Sequence, residues 1–385
     1  MNSKRIYLDN AATTPLRAEV AEAMREAVAD SNYNPSSLHA EGRRAAAVLD
    51  AARERVASLL VATRSEIIFT SSGTEADNLA LLGVARAASP GGHVVVTAIE
   101  HHAVLSAVDR LREEGFEVSV LPVGRDGLVD VAQFAAALRP TTVLASVMYA
   151  NNEIGTVQPI AELTRVARSR GVLFHSDAVQ APSWLPIDVA ELGVDLLSLS
   201  AHKCQGPKGV GLLYVRRGVP IVPILHGGGQ EFGRRPGTQD VVGIAGMARA
   251  LELAAAERAE QSRRVAALRD RLESGIRAAI PDVRINGAAP RLANNLNVSF
   301  AGAESASLLI ALDLAGIAVS AGSACTSGSL EPSHVLAAMG LDQRRQHGTI
   351  RFSLGTTSSA ADIDRVLAVL PALVAEQRCP SPVAG

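Results

Sequence analysis

IIFTSSGTEADNLA (67–80) opens on a β-rich apolar run, passes through small polar residues and enters an amphipathic segment of helix length at 74–87. The same order recurs downstream. HVVVTA (93–98), EVSVLPV (117–123), TTVLASVMYA (141–150), VLFHSDA (172–178), LLSLSA (196–201) and VGLLYV (210–215) read as strands, most of them separated by helical segments such as 101–114 and 159–170. Strands apolar throughout, alternating with helices, predict a largely parallel seven-stranded sheet covered on both faces, an α/β domain. Ligands of such sheets bind beyond the carboxyl ends of the strands. Those ends carry Ser71–Thr74, Glu100–His101, Asn151–Glu153, Asp177–Gln180 and Ser200–Lys203, all polar and all expected on one edge.

Residues 240–279 read as one long Ala/Arg-rich helix. Pro281 and Asn286–Gly287 break the pattern. NNLNVSFA (294–301), a helix at 305–316, the Gly/Ser stretch 320–330, TIRFSL (349–354) and a helix at 361–377 then predict a smaller α+β domain, with CPSPVAG as a frayed tail. The expected division is a large domain over 16–258 and a small domain from 1–15 and 259–385. There is no internal repeat.

The 385 residues are 48% hydrophobic and carry a net charge of −2, so nothing favours nucleic acid or an anionic membrane. The apolar runs fall short of the ~20 residues a membrane span needs. MNSKRIYLDNAATTP lacks the apolar stretch of a signal peptide, and a cytoplasmic protein is expected. Cys204, Cys325 and Cys379 are odd in number and far apart, which gives no disulfide framework and no metal spacing. Only three of the 37 basic residues are lysines: Lys4, Lys203 and Lys208. A retained lysine can do what arginine cannot, namely lose its proton and form an imine.

Several residues carry chemistry beside a plainer reading. Gly73 and Thr74 stand where a helix N-terminus can bind an anion, or where Ser72 or Thr74 simply caps the helix. Lys203 follows a strand in a small-residue loop suited to a Schiff base, while Gly206-Pro207-Lys208-Gly209 reads as a turn. Asp177 ends an apolar strand and needs a cation or hydrogen-bond donors there, or is a simple cap. His101 is a proton shuttle, a ring to stack on a ligand, or packing, and His102 is not separable from it. Cys325, among Gly, Ser, Ala and Thr, reads as an exposed working thiol on a mobile loop, or an incidental one. Cys204 reads as buried.

Together these motifs resemble the cysteine desulfurases that feed iron–sulfur cluster assembly. The resemblance rests on YLDNAATTP (7–15), IIFTSSGTEADNLA (67–80), EHHAVL (100–105), NNEIGTVQPI (151–160), DAVQ (177–180), SAHK and GPKGVG (200–211), GTQD (237–240), SGSLEPSHVL (327–336) and RFSLG (351–355). The segment SACTS around Cys325 distinguishes this group from desulfurases with a shorter, more rigid cysteine loop. The resemblance implies the fold-type-I pyridoxal-phosphate architecture and a homodimer. It implies that Lys203 holds the cofactor, that Gly73, Thr74, Ser200 and His202 bind its phosphate, and that Thr238 reaches in from the other subunit. Asp177 would pair with the pyridinium and Gln180 with the ring hydroxyl. Asn152 would touch the cofactor and, with Arg351, hold the substrate carboxylate; His101 would stack on the ring and, with Lys203, help protonate the carbon that loses sulfur. Cys325 would take sulfur from L-cysteine as a persulfide, release L-alanine and pass the sulfur to a scaffold or other acceptor, with transient iron–sulfur ligation at hand-over. Ser72 departs from the family's usual glycine, and Cys204 from a bulkier apolar residue. The alternatives are another fold-type-I enzyme, such as a class V aminotransferase or selenocysteine lyase, and a non-catalytic binding protein.

Overall fold

The computed structural model describes residues 5–88, 91–321 and 333–378. The chain begins with β1 (Ile6–Tyr7), α1 (Ala18–Ser31) and α2 (Ala40–Leu60). It then alternates through β2 (Ile67–Thr70), α3 (Gly73–Ala87), β3 (His93–Thr97), α4 (His102–Glu113), β4 (Glu117–Leu121), α5 (Val131–Ala137), β5 (Thr142–Ser146), α6 (Ile160–Ser169), β6 (Leu173–Asp177), α7 (Val189–Leu192), β7 (Leu196–Ser200) and β8 (Gly211–Val215). A single helix, α8 (Val241–Ala279), leads to β9 (Val283–Asn286), β10 (Asn295–Phe300), α9 (Ser305–Leu314) and β11 (Ile317–Ala318). After residue 332 come α10 (His334–Ala338), α11 (Gln343–His347), β12 (Thr349–Ser353) and α12 (Ala360–Arg378).

The central sheet runs β2-β8-β7-β6-β5-β3-β4, with β8 antiparallel to both its neighbours and the other strands parallel. Alternate residues of each strand feed two cores. Ile67, Phe69, Val95, Leu197 and Leu199 join one core with α2, α6 and the first half of α8. Ile68, Val94, Val96, Leu144 and Leu196 join the other with α3 and α4. This is why the strands read as unbroken apolar runs: both faces are covered.

A three-stranded antiparallel sheet, β12-β10-β9, backs a third core that holds Leu8, Val298, Phe300, Phe352 and Leu370. Here β1 pairs in parallel with β11, so the N-terminal residues Ile6 and Leu8 pack far from α1. The break expected at Pro281 to Gly287 contains β9, an edge strand whose pairing with β10 overrides its weak local signal. The long helix contributes Val241 to Leu251 to the first core and Val265, Leu272 and Ile276 to the third.

The free edge of β2 is covered by side chains. The Phe69 N–H donates to Glu231 Oε2 at 2.8 Å, and Arg53 Nη1 donates to the Ile67 carbonyl at 2.6 Å. Arg53 and Glu231 are also a two-pronged ion pair, at 2.7 and 2.6 Å, nearly shut off from solvent. Such side-chain cover satisfies edge groups that would otherwise pair with another strand. Glu231 and Phe232 both sit at positive φ, 48° and 58°, a strain the ion pair helps to hold. Glu231→Ala leaves Arg53 buried without its partner, and we expect a loss of about 3–5 kcal/mol in stability by urea denaturation. A change below about 1 kcal/mol means the pair is not buried in solution.

Candidate active site

Six of the sheet's strands point their carboxyl ends to one edge, and a cavity of about 350 Å³ opens there. Gly73, Thr74, His101, Asn152, Asp177, Gln180, Ser200, His202, Lys203 and Arg351 all line it. Thr238 does not; it is exposed, between β8 and α8. Cys325, Cys379 and Lys4 lie outside the described residues. Both ends of the segment that bears Cys325 are fixed beside the cavity. Ser320 exchanges backbone hydrogen bonds with Arg351, and Ser333 Oγ donates to Glu153 Oε2 at 2.5 Å.

The α3 N-terminus forms one wall. Ser72 adopts an extended conformation (φ −170°) open to any residue, and its Oγ caps the helix by accepting from the Glu75 N–H at 3.1 Å. The serine departure is therefore a working N-cap. A side chain at Gly73 would meet Val179 Cγ2 at 2.8 Å, so glycine is required by close approach to the β6 end. The Glu75 carboxylate turns away: burial would raise its pKa, but hydrogen bonds from Arg235 and the Ser71 N–H hold it below the usual value. The helix terminus keeps its favourable field for an anion.

Lys203 ends the single turn after β7, and its Nζ donates to the carbonyls of Ala11 at 2.6 Å and Ala12 at 2.7 Å. Gln180 Nε2 also donates to the Ala11 carbonyl, at 3.0 Å, so its amide is engaged by the N-terminal segment. His202 Nδ1 lies 3.1 Å from Thr13 Oγ1, and burial, with help from Lys203 and Lys208, pushes its pKa down to about 4. Asp177 is 6% exposed; burial raises its pKa although its Oδ1 accepts the Val179 N–H at 2.9 Å. His101 is the N-cap of α4, its Nδ1 accepting from the Ala103 N–H at 3.1 Å. That bond puts the proton of the neutral ring on Nε2. Burial lowers the pKa of this ring.

Three contributors were not legible as site residues. Asp9 accepts from Arg351 Nη2 at 2.8 Å, while Arg351 Nη1 donates to the Asn152 carbonyl at 3.0 Å. His334 lines the cavity, meets His102 at a tilted angle with ring centroids 4.7 Å apart, and its Nε2 lies 2.9 Å from the Glu100 carbonyl. Asp77 lines the cavity from α3. Cys204 is buried as expected; burial pushes its thiol up to about 12, too high for a nucleophile at neutral pH. Among the described residues no cluster of three His, Cys, Asp or Glu side chains could hold a metal. No helix among them is long and apolar enough to cross a membrane.

Residues 6–366 match the family model for aminotransferase class-V. This chain belongs to the aminotransferase class-V family. Within it, its kin are cysteine desulfurases. It is 49% identical to the cysteine desulfurase IscS of Dictyoglomus turgidum, covering 98% of this chain and 97% of that one. A solved NifS-like protein superposes with a TM-score of 0.91 at 39% identity, over 97% of this chain and 100% of the other. SspA, solved in complex with cysteine, superposes at 0.80 with 36% identity, over 92% and 100%.

Class-V enzymes depend on pyridoxal 5′-phosphate, and the cavity of this class-V member fits that group. It offers a buried carboxylate at the end of β6 with no ion-pair contact among the described residues, a helix N-terminus pared to glycine for an anion, and one lysine amine on the same cavity wall. The Oδ1 of Asp77, buried behind Asp177, has no hydrogen-bond partner within the described residues. The donor set is that of a phosphorylated, cationic aromatic ligand.

Proposed function

We propose that the enzyme withdraws sulfur from L-cysteine, releases L-alanine and carries the sulfur as a persulfide on Cys325 to a protein acceptor. The observation that carries this reading is the meeting of Lys203, Asp177 and Arg351 in one cavity, beside both ends of the Cys325 segment, in a chain of desulfurase kin. When bound, the cofactor supplies an electron sink for charge leaving the substrate's α-carbon. Lys203 would hold the cofactor, and its amine would move the substrate's α-proton. Gly73, Thr74, Ser200 and His202 would hold its phosphate, and Thr238 would come from a second copy in a homodimer. Asp177 would hold its ring nitrogen.

Arg351 and Asn152 receive the substrate carboxylate. The Asp9 carboxylate and the Asn152 carbonyl fix the guanidinium before substrate arrives, which reduces the ordering cost of binding. His101, neutral and protonated on Nε2, presents a ring face and a single N–H donor rather than an imidazolium. Gln180 reaches the ring hydroxyl only by sharing or releasing its bond to Ala11. Cys325, as thiolate, attacks the substrate sulfur; the electron pair of the broken C–S bond stays on carbon and is protonated. The acceptor is an iron–sulfur scaffold or another sulfur carrier, met in the cytoplasm, where thiols stay reduced. The division into 16–258 and the joined segments 1–15 and 259–385 is supported by the separate core that holds Leu8 with Phe300 and Leu370.

Intact-mass analysis after cysteine treatment, followed by peptide mapping, tests the assignment. The expected result is added sulfur on Cys325. Sulfur found instead on Cys204 or Cys379, or none added, overturns it.

A further inference from the structure

A row of polar side chains runs through the otherwise apolar layer between α3 and the sheet. Ser146 on β5 lies opposite His175 on β6, and Asp177 lies opposite Ser198 on β7. His175 and Asp177 are two residues apart, so they share a face. His175 Nδ1 is 2.8 Å from Ser146 Oγ, and its Nε2 is 2.9 Å from Ser198 Oγ. Asp77 meets the row from α3: its Oδ1 is 3.6 Å from His175 Nε2, and Ser198 is close enough to favour the charged form of its carboxyl. Asp77 is 1% exposed, and Ser146, His175 and Ser198 are fully buried.

Nothing in this row offers Asp77 a positive charge. Burial pushes His175 down to about 3, so its ring is neutral, and it is the only ion-pair contact Asp77 makes among the described residues. The other ionisable groups that face Asp77 are acids. Glu100 approaches from the end of β3, where burial pushes it up to about 8, and Asp177 approaches from β6. His101 and Lys203 act on Asp177. Two carboxyls sharing a buried site do not both ionise. Asp177 has the backbone N–H of Val179, the field of Lys203 and an opening to the cavity. Asp77 also borders the cavity, but among the described residues its polar neighbours are hydroxyl, imidazole and acidic groups, with no cation in ion-pair reach.

We propose that Asp77 keeps its proton and serves as a positioning residue: it holds α3 against the His175 ring, which Ser146 and Ser198 fix, and leaves Asp177 as the sole negative charge offered to the cofactor ring. This rests on the cofactor reading given above. A neutral acid here supplies a hydrogen-bond donor without a second anion, which would overstabilise the protonated ring and resist burial.

The infrared difference spectrum between wild type and Asp77→Asn, recorded on holoenzyme and on cofactor-free full chain at neutral pH, reads the proton directly. The expected result is loss of the carbonyl stretch of one protonated carboxylic acid, with the Glu100 signal common to both proteins. Loss of an ionised carboxylate signal instead overturns the proposal. The second readout is the pH titration of the cofactor's absorption band, with cofactor affinity. Asp77→Asn, neutral and isosteric, keeps both. Asp77→Ala shifts the titration and binds cofactor about tenfold more weakly, the scale of one lost buried hydrogen bond. An Asn variant as impaired as the Ala variant, or an Ala variant with no change, overturns the positioning role. A wild-type protein that binds no cofactor defeats the reading of the cavity, while the infrared result still reports the state of Asp77.

Discussion

Lys203→Ala loses alanine production from cysteine by about 10⁴-fold, the upper range for removal of a group that moves a proton in the transition state, and no longer retains the yellow cofactor through dialysis. Among the described lysines only Lys203 lines the cavity; Lys208 is exposed in the turn ahead of β8. An arginine at 203 does not rescue, because a guanidinium does not give up its proton to become a nucleophile. The loss is chemical rather than structural. The ammonium's bonds to Ala11 and Ala12 are only part-buried, and water can replace it at both carbonyls. The stability change is therefore about 1–2 kcal/mol. Paired measurements of turnover and urea midpoint separate the two effects. Turnover within tenfold of wild type removes Lys203 from the chemistry.

Cys325→Ala is the second large effect. Sulfide release and persulfide formation fall by about 10³-fold or more, as for loss of a covalent nucleophile, while the spectral change on adding cysteine remains. No other described thiol can stand in. Cys204 is 2% exposed, donates to the Ala201 carbonyl at 3.3 Å and has a pKa near 12. Cofactor and substrate binding survive because the groups assigned to them sit on α3 and β12 and at or just beyond the ends of β3, β5, β6 and β7, with Thr238 ahead of α8, and none on the segment that bears Cys325. Near-wild-type sulfide release from the variant sinks the assignment of the sulfur to this cysteine.

The strands were legible because burial on both faces leaves few polar residues in them, and the strand ends because polarity returns there abruptly. Lys203 and Asp177 stood out by residue type at such ends. The helices α1 and α2 carry many charges and rely on packing against α8, so residues 18–60 offer little local pattern to read. Asp9 and Arg351 are 342 residues apart, and their contact exists only once β1 pairs with β11 and Asp9 comes alongside Ser353 of β12. The bond from Gln180 to Ala11 had no signal at all, because its acceptor is a backbone carbonyl. Asp77 sits in a motif that reads as an anion-binding helix start. Its different role depends on which face of the sheet α3 covers, and only the register of β5, β6 and β7 decides that.

The 39-residue α8 is rooted at one end among the sheet's side chains and at the other among those of the smaller sheet. At 1.5 Å per residue it is a beam of about 58 Å, with no glycine or proline hinge between its two buried stretches. Melting one core therefore strips apolar partners from a helix the other core still needs. Heat should meet one cooperative unit rather than two, so calorimetry would trace a single endotherm. Motion that admits substrate is left to the loops around the cavity, because the beam transmits strain between the two halves instead of absorbing it.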